Sequence, residues 1–276
     1  MTKSIAVANQ KGGVGKTTTS VSLAACLAEL GKKVLLVDFD PQANATSGLG
    51  LEKAAGGSVY EALLGEKSLL SLVVASQQAN LDLIPSEVDL AAAEIAVARS
   101  EQYLQRFQIA LAPVHDAGTY DFILVDCQPS LGILTMNAMA AVDRILVPLQ
   151  CEYYALEGLT VIMKVIQQIR DSGANPTLDL EGIVMTMFSH TRLAEQVIDE
   201  VRKHFSDKVF DTVIPRTVRL SEAPSFGKPI TLYDSASSGA TAYRLLAQEF
   251  LKRQSAASAS PLSASSEVVP LEPVES

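Results

Sequence analysis

The chain has 276 residues, 48% of them apolar and none of them Trp, enough for one large α/β domain with an aliphatic core or for two small ones. Its formal net charge of −9 excludes a protein that coats nucleic acid over its whole surface. No stretch reaches the roughly 20 uninterrupted apolar residues of a membrane span. Met1-Thr2-Lys3 leads straight into an apolar run, so no signal peptide is expected and the reading is cytoplasmic. Cys26, Cys127 and Cys151 are widely spaced in apolar settings and read as buried thiols of a reduced compartment.

In chain order, an apolar strand at 5–9 runs into Lys11-Gly12-Gly13-Val14-Gly15-Lys16-Thr17-Thr18 and then a helix over 17–30, closed by Gly31. This is a phosphate loop with a difference. The pattern G-x-x-x-x-G-K-[ST] wants a glycine five residues before Gly15, where Gln10 stands, and Lys11 is an additional cation. The chemistry remains legible. Gly12, Gly13 and Gly15 let backbone amides turn toward phosphate oxygens, and the helix N-terminus adds its positive dipole. Lys16 can reach the β- and γ-phosphates, and the Thr17 hydroxyl suits Mg²⁺. A ligand-free glycine-rich turn has no need of strand, turn, Gly-Lys-Thr-Thr and helix in register.

Further strands are expected at 34–38, 81–85, 122–126, 145–149, 182–187 and 209–214, with helices at 90–112, 156–170, 193–205 and 239–253. Such Val/Ile/Leu runs alternating with amphipathic helices predict an α/β fold: three layers, a mostly parallel twisted sheet covered by helices on both faces. The second strand ends in Asp38-Phe39-Asp40 and the strand at 122–126 ends in Asp126. Ligands of open parallel sheets sit beyond the carboxyl ends of the strands, so three carboxylates reach the edge where the phosphate loop also ends. An apolar strand followed by Asp is how nucleotide hydrolases hold Mg²⁺. A lone Asp there would equally serve as a turn or helix cap.

Charge is uneven. Residues 190–253 hold ten Lys and Arg against eight Asp and Glu, whereas 1–189 hold twelve against twenty. A local basic face in the last third is therefore compatible with an acidic total. From 254 the sequence is Ser/Ala/Pro-rich with three Glu and no Lys or Arg, the composition of a disordered tail.

Four stretches, KGGVGKTTTSVSLAACLAELGKKVLLVDFDPQANATSGLG, DFILVDCQPSLGILTMNA, PLQCEYYALEGL and VIPRTVRLSEAPSFGKPI, closely resemble the ParA/Soj family of chromosome- and plasmid-partitioning ATPases. The resemblance runs in order from about residue 3 to residue 253. It implies a single ATPase domain over 1–253, with the tail at 254–276 outside it, and a deviant phosphate-loop fold that forms a nucleotide-sandwich dimer. By resemblance, Lys11 reaches across the dimer to the partner's phosphates, as an arginine finger does. Lys16 is the in-site phosphate lysine, Thr17 a Mg²⁺ ligand, and Thr18 lies at the α-phosphate. Asp40 positions or activates the attacking water, Asp38 supports it, and Asp126 holds Mg²⁺ or its water shell. Met187, Pro215 and Arg216 enclose the adenine.

The resemblance also implies sequence-independent binding of duplex DNA by the ATP-bound dimer, location on the nucleoid, and turnover stimulated by a ParB-like partner. Arg219 is the best match to a DNA-contact arginine, followed by Arg192, Arg216, Lys252 and Arg253. Two departures stand out: Gln128 replaces the first proline of the usual D-C-P-P-S, and FSHTRLAEQV is one residue short. A MinD-like ATPase would end in a basic amphipathic helix, whereas this chain ends in SASSEVVPLEPVES. An iron–sulfur carrier would need cysteines at ligand spacing. A binding module that uses ATP as a clamp with negligible turnover is the remaining alternative; Lys11, Asp40 and Asp126 together favour an enzyme, and measured phosphate release separates the two.

Overall fold

Side chains alternate along the inner strands, and this sets the architecture. Ile5 and Val7 point to one face of the sheet and Ala6 and Ala8 to the other, as do Val34 and Leu36 against Leu35 and Val37. Each face is apolar, so each must be covered. The computed structural model describes residues 2–52 and 57–259. Its strands are β1 Lys3–Val7, β2 Val34–Phe39, β3 Val74–Ala75, β4 Leu81–Ile84, β5 Phe122–Cys127, β6 Arg144–Gln150 and β7 Asp179–Thr186. The helices are α1 Lys16–Glu29, α2 Asn44–Gly48, α3 Val59–Leu64, α4 Leu90–Ala98, α5 Arg106–Ala117, α6 Ile133–Ala141, α7 Ala155–Asp171, α8 Arg192–Phe205, α9 Val218–Glu222, α10 Ile230–Tyr233 and α11 Ser238–Ala259.

The strands form one sheet in the order β3-β4-β2-β5-β1-β6-β7, parallel except for the antiparallel edge strand β3. One core lies between the sheet and α1 and α11, with Leu23, Leu27, Tyr243 and Phe250 buried there. The other packs Phe107, Leu134, Leu159 and Ile166 from α5, α6 and α7 against the opposite face. This is the three-layer arrangement expected. Register matters most for function: Val7 pairs with Asp126, and Asp126 pairs with Asp38, so three strands end at one level.

Three expectations change. The strand at 209–214 is instead a segment touching β7 at isolated bridges, Ile183 to Val209 and Phe188 to Pro215. The Asp211 and Thr212 amides donate to the Glu249 carboxylate at 2.8 and 2.9 Å, which diverts them from a ladder. The helix at 90–112 is two helices, α4 and α5. Asn137 of α6 bonds the chain between them, accepting from Phe107 N at 3.2 Å and donating to Tyr103 O at 2.7 Å. The last helix runs through Ala259, so the tail boundary expected at 254 falls within α11. Residues 260–276, with the rest of that expected tail, lie outside the described residues.

Candidate active site

The loop between β1 and α1 is shaped before any ligand arrives. Gly13 and Gly15 adopt φ of 75° and 87°, a left-handed backbone that side chains with a Cβ rarely take. Gly15 stands at the N-terminus of α1, where the first amides of the helix are free to meet an anion. Asn9 braces the entry to the loop. Its side chain accepts from Lys11 N at 3.0 Å and donates to Pro148 O at 2.8 Å. On the far side, Thr186 Oγ1 donates to Val14 O at 2.9 Å and ties the end of β7 to the loop. Neither Asn9 nor Thr186 was singled out in the sequence; Asn directly after an apolar strand is the kind of turn former that could have flagged Asn9.

Lys16 is nearly buried and donates to the Lys11 carbonyl at 2.9 Å. Burial pulls its pKa down, while Asp126, Cys127 and Asp40 oppose that shift. Asp38, Asp40 and Asp126 are buried beside it. Burial raises the Asp126 pKa, the Asp38 charge raises it further, and the Ser20 and Thr17 hydroxyls pull it down. Asp126 Oδ1 accepts from Ser20 Oγ at 2.8 Å, whereas Oδ2 is buried with no hydrogen-bond partner among the described residues. A buried, unpaired carboxylate oxygen is costly unless a cation or water completes it.

The two aspartates of β2 play different parts. Asp38 is occupied: Oδ2 accepts from Thr46 N and Thr46 Oγ1, both at 2.7 Å, and Oδ1 from Asp40 N at 3.3 Å. It holds α2 down on the sheet. Burial raises its pKa, and the Thr46 bonds counteract that rise. Asp40 is braced through one oxygen, Oδ1 accepting from Gln42 N at 2.9 Å. Its carbonyl accepts from Ala43 N at 2.8 Å, closing a turn in which Ala43 takes a left-handed φ of 51°.

These groups fit a magnesium ion completed by other ligands. No cluster of three or more His, Cys, Asp or Glu among the described residues encloses a metal by itself. A Mg²⁺ that keeps waters and phosphate oxygens needs one or two carboxylates and a hydroxyl, which is the donor set at Asp126, Asp40 and Thr17.

Lys11 is half exposed at the mouth of the loop and pairs with Glu152, just beyond β6. Met187 has a left-handed φ of 51°, and next to it Phe188 N donates to Ile214 O at 3.0 Å while Phe188 O accepts from Arg216 N at 2.9 Å. Met187, Pro215 and Arg216 are thus brought together at the end of β7, the strand whose Thr186 holds Val14. A cavity of about 240 Å³, lined by Thr17, Thr18, Asn44, Ser47, Leu220 and Lys228, lies between α1, α2 and the segment that follows α9.

The basic residues divide. Arg192, Arg216 and Arg219 are exposed on segments leaving the carboxyl end of β7. Arg219 pairs with Glu222 at 3.0 Å and Asp234 at 3.2 Å. Lys252 and Arg253 lie elsewhere, because fourteen residues of α11 carry them about 21 Å from Ser238, toward the amino edge of the sheet. There the next residue, Gln254, accepts from Lys3 at 2.7 Å. Arg253 is also committed: it pairs with Glu249, donates to the Asp207 and Val209 carbonyls and stacks 4.1 Å from the Phe210 ring centre. The five candidate DNA-contact residues therefore fall three and two on different edges of the sheet. The thiols of Cys26 and Cys127 are free and buried, and that of Cys151 is half-buried.

Comparison with known proteins accords with this geometry. A protein-family model described as an AAA domain matches residues 2–180. The sporulation initiation inhibitor protein Soj of Bacillus subtilis is 52% identical over 251 residues, covering 90% of this chain and 98% of that protein. The chromosome partitioning protein ParA of Caulobacter vibrioides is 47% identical over 252 residues, covering 91% of this chain and 94% of that protein. Among solved structures, cobyrinic acid a,c-diamide synthase from Mycobacterium smegmatis with bound ADP and magnesium superposes with a TM-score of 0.80 at 36% identity, covering 93% of this chain and 97% of that one. With its phosphate loop, buried carboxylates and near full-length similarity, the chain belongs to the ParA/Soj family of chromosome-partitioning ATPases, enzymes that use ATP and Mg²⁺.

Proposed function

We propose that the chain is a nucleotide-gated homodimer for DNA segregation, carried by one observation: a complete set of in-site groups lies beside an additional lysine, Lys11, that faces outward. In this reading Lys16 neutralises the β- and γ-phosphates, Thr18 meets the α-phosphate, and the Gly12–Gly15 amides cradle the chain of phosphates. Met187, Pro215 and Arg216 bound the adenine. Asp126, Thr17 and, through water, Asp40 hold the magnesium, which supplies charge neutralisation at the phosphoryl oxygens. The unbraced oxygen of Asp40 faces the attacking water and orients it.

Lys11 serves the site of a second copy. Its pair with Glu152 is half exposed, and such pairs contribute only about 0–1 kcal/mol, so a desolvated triphosphate on a facing protomer displaces Glu152 readily. Nucleotide state and dimer state then become one switch. Two copies also double the exposed arginines Arg192, Arg216 and Arg219, and paired weak patches sum their phosphate contacts on duplex DNA. The cavity shared by α1, α2 and Lys228 supports coupling between the nucleotide and this basic segment. Hydrolysis, stimulated by a ParB-like centromere-binding partner, releases the chain from the nucleoid. Among the described residues no helix is long and apolar enough to cross a membrane.

The test is ATP turnover measured alone, with duplex DNA, and with DNA plus a ParB-like centromere-binding protein, alongside DNA sedimentation. Slow basal phosphate release, raised by the combination, and ATP-dependent sedimentation with DNA are expected. ATP-independent DNA binding, or a monomer in the presence of ATP and Mg²⁺, would contradict the reading.

A further inference from the structure

Gln128 has a definite partner. Its Nε2 donates to Glu94 Oε1 at 2.7 Å. Glu94 is on α4, whose Leu90, Ala93 and Val97 are buried, so the carboxylate stands on a fixed base. It also lies over the start of α6: a Cβ built on Gly132 would approach Glu94 Oε1 to 3.0 Å. A carboxylate at that helix N-terminus is favourably placed. The loop between closes on itself, Ser130 N donating to Gln128 O at 2.9 Å and Gly132 N to Ser130 Oγ at 3.3 Å. Pro129 of this loop lies beside the phosphate loop: a Cβ built on Gly12 would sit 3.8 Å from Pro129 Cβ. The loop that begins two residues after Asp126 is therefore tied through Gln128 and Glu94 to a core helix and passes beside Gly12 at Pro129.

We propose that Gln128 is a positioning residue for ATP hydrolysis, held by Glu94 so that loop 128–132 keeps its place between Asp126 and the phosphate loop. It rests on the ATPase assignment and involves no contact with substrate. The loop joins the strand that carries Asp126 to a helix start, and its position is fixed from outside by one charge-assisted hydrogen bond. Without that bond, the loop must be ordered during each turnover, which loads the chemical step more than ATP binding.

The experiment compares Gln128→Leu, Glu94→Leu and the double variant in the full chain, by phosphate release and amide hydrogen exchange. Each single variant should lower kcat about tenfold, the scale of one charge-assisted hydrogen bond, with KM for ATP little changed. The double variant should be no worse than either single one, because both remove the same contact. Gln128→Glu alone sets two carboxylates together and should stay slow, whereas Gln128→Glu with Glu94→Gln reverses donor and acceptor and should restore turnover. Exchange at the Ser130 and Gly132 amides should quicken in the leucine variants and recover in the reversed pair. An unchanged kcat, a loss carried by KM, additive losses or no rescue by the reversed pair overturns the proposal. If the unsubstituted chain releases no phosphate even with DNA and partner, the ATPase assignment fails instead. Exchange rates unaltered by the leucine variants then overturn the tether.

Discussion

At the scale of single residues, the site is a lysine and three carboxylates removed from water before substrate arrives. Lys16 loses hydration by burial and recovers part of it through its bond to the Lys11 carbonyl and the fields of Asp126, Cys127 and Asp40. Removing it leaves phosphate charge without its main counter-ion. Lys16→Ala should weaken ATP binding by about a hundredfold or more and abolish ATP-dependent dimerisation, read by calorimetry and light scattering. Under the proposed function, Asp40→Ala should still bind ATP, because Lys16, Thr17 and Asp126 remain, yet accumulate as a DNA-bound dimer for want of the group that orients water; sedimentation with DNA and phosphate release check this together. Asp126 carries a stability consequence. Its folded-state pKa is raised, so the folded chain holds that proton more tightly than the unfolded chain does. The associated stability is fully present below the unfolded carboxylate range and is lost as pH rises through the raised value. Asp126→Asn keeps the side chain neutral throughout. The ligand-free variant should therefore melt a few degrees higher than the native chain at neutral pH, with the difference closing in acid; calorimetry across pH decides it.

At the scale of elements, short helices are placed by polar side chains that periodicity does not register. Helix α2 is only Asn44–Gly48, too short to stand alone, and Asp38 pins it through the Thr46 amide and hydroxyl. Thr46 also accepts from Ser86 N at 3.1 Å, which links α2 to the end of β4. Thr46→Val removes a donor from a buried carboxylate and should destabilise the fold by about 1–3 kcal/mol, measured by urea unfolding. Turnover should fall as well, because α2 follows Asp40 directly. The break between α4 and α5 has the same kind of origin. The Ala/Ile/Val run at 90–98 and the later apolar residues share a helical period, while Asn137, thirty or more residues away, bonds Tyr103 in the break and Phe107 at the start of α5. Within the break, Gln102 takes a left-handed φ of 56°. Likewise, 209–214 has strand-like composition, yet Glu249 on α11 claims two of its amides.

At the scale of the whole molecule, the sheet sorts the cations. Phosphate loop, Asp40, Asp126 and the segments bearing Arg192, Arg216 and Arg219 all leave the carboxyl edge of the strands, whereas α11 carries Lys252 and Arg253 toward the amino edge. Arg219→Glu should leave the melting temperature and ATP-dependent dimerisation unchanged and remove DNA retention, because its ion pairs are exposed and its charge is reversed. Sedimentation with DNA over a salt series reads this. Arg253→Ala should do the opposite. It forfeits two carbonyl contacts, an ion pair and a ring contact, so stability should drop by about 1–3 kcal/mol, while the slope of DNA affinity against salt is unchanged.

By itself the sequence determined the parts whose chemistry is local. Strand, glycine turn and Gly-Lys-Thr-Thr make a phosphate loop because backbone conformation and helix dipole are set within a dozen residues. Apolar runs ending in Asp place carboxylates at a strand edge because side-chain period and strand direction are local too. Resemblance in four ordered stretches then identified the family. Tertiary structure alone decided which aspartate is occupied and which is open, that Glu94 holds Gln128, that Glu152 covers Lys11, and that the basic residues fall on two edges. Each of these depends on a partner distant in sequence, and hydrogen bonds and ion pairs act over a few ångströms of space, whatever the number of residues between.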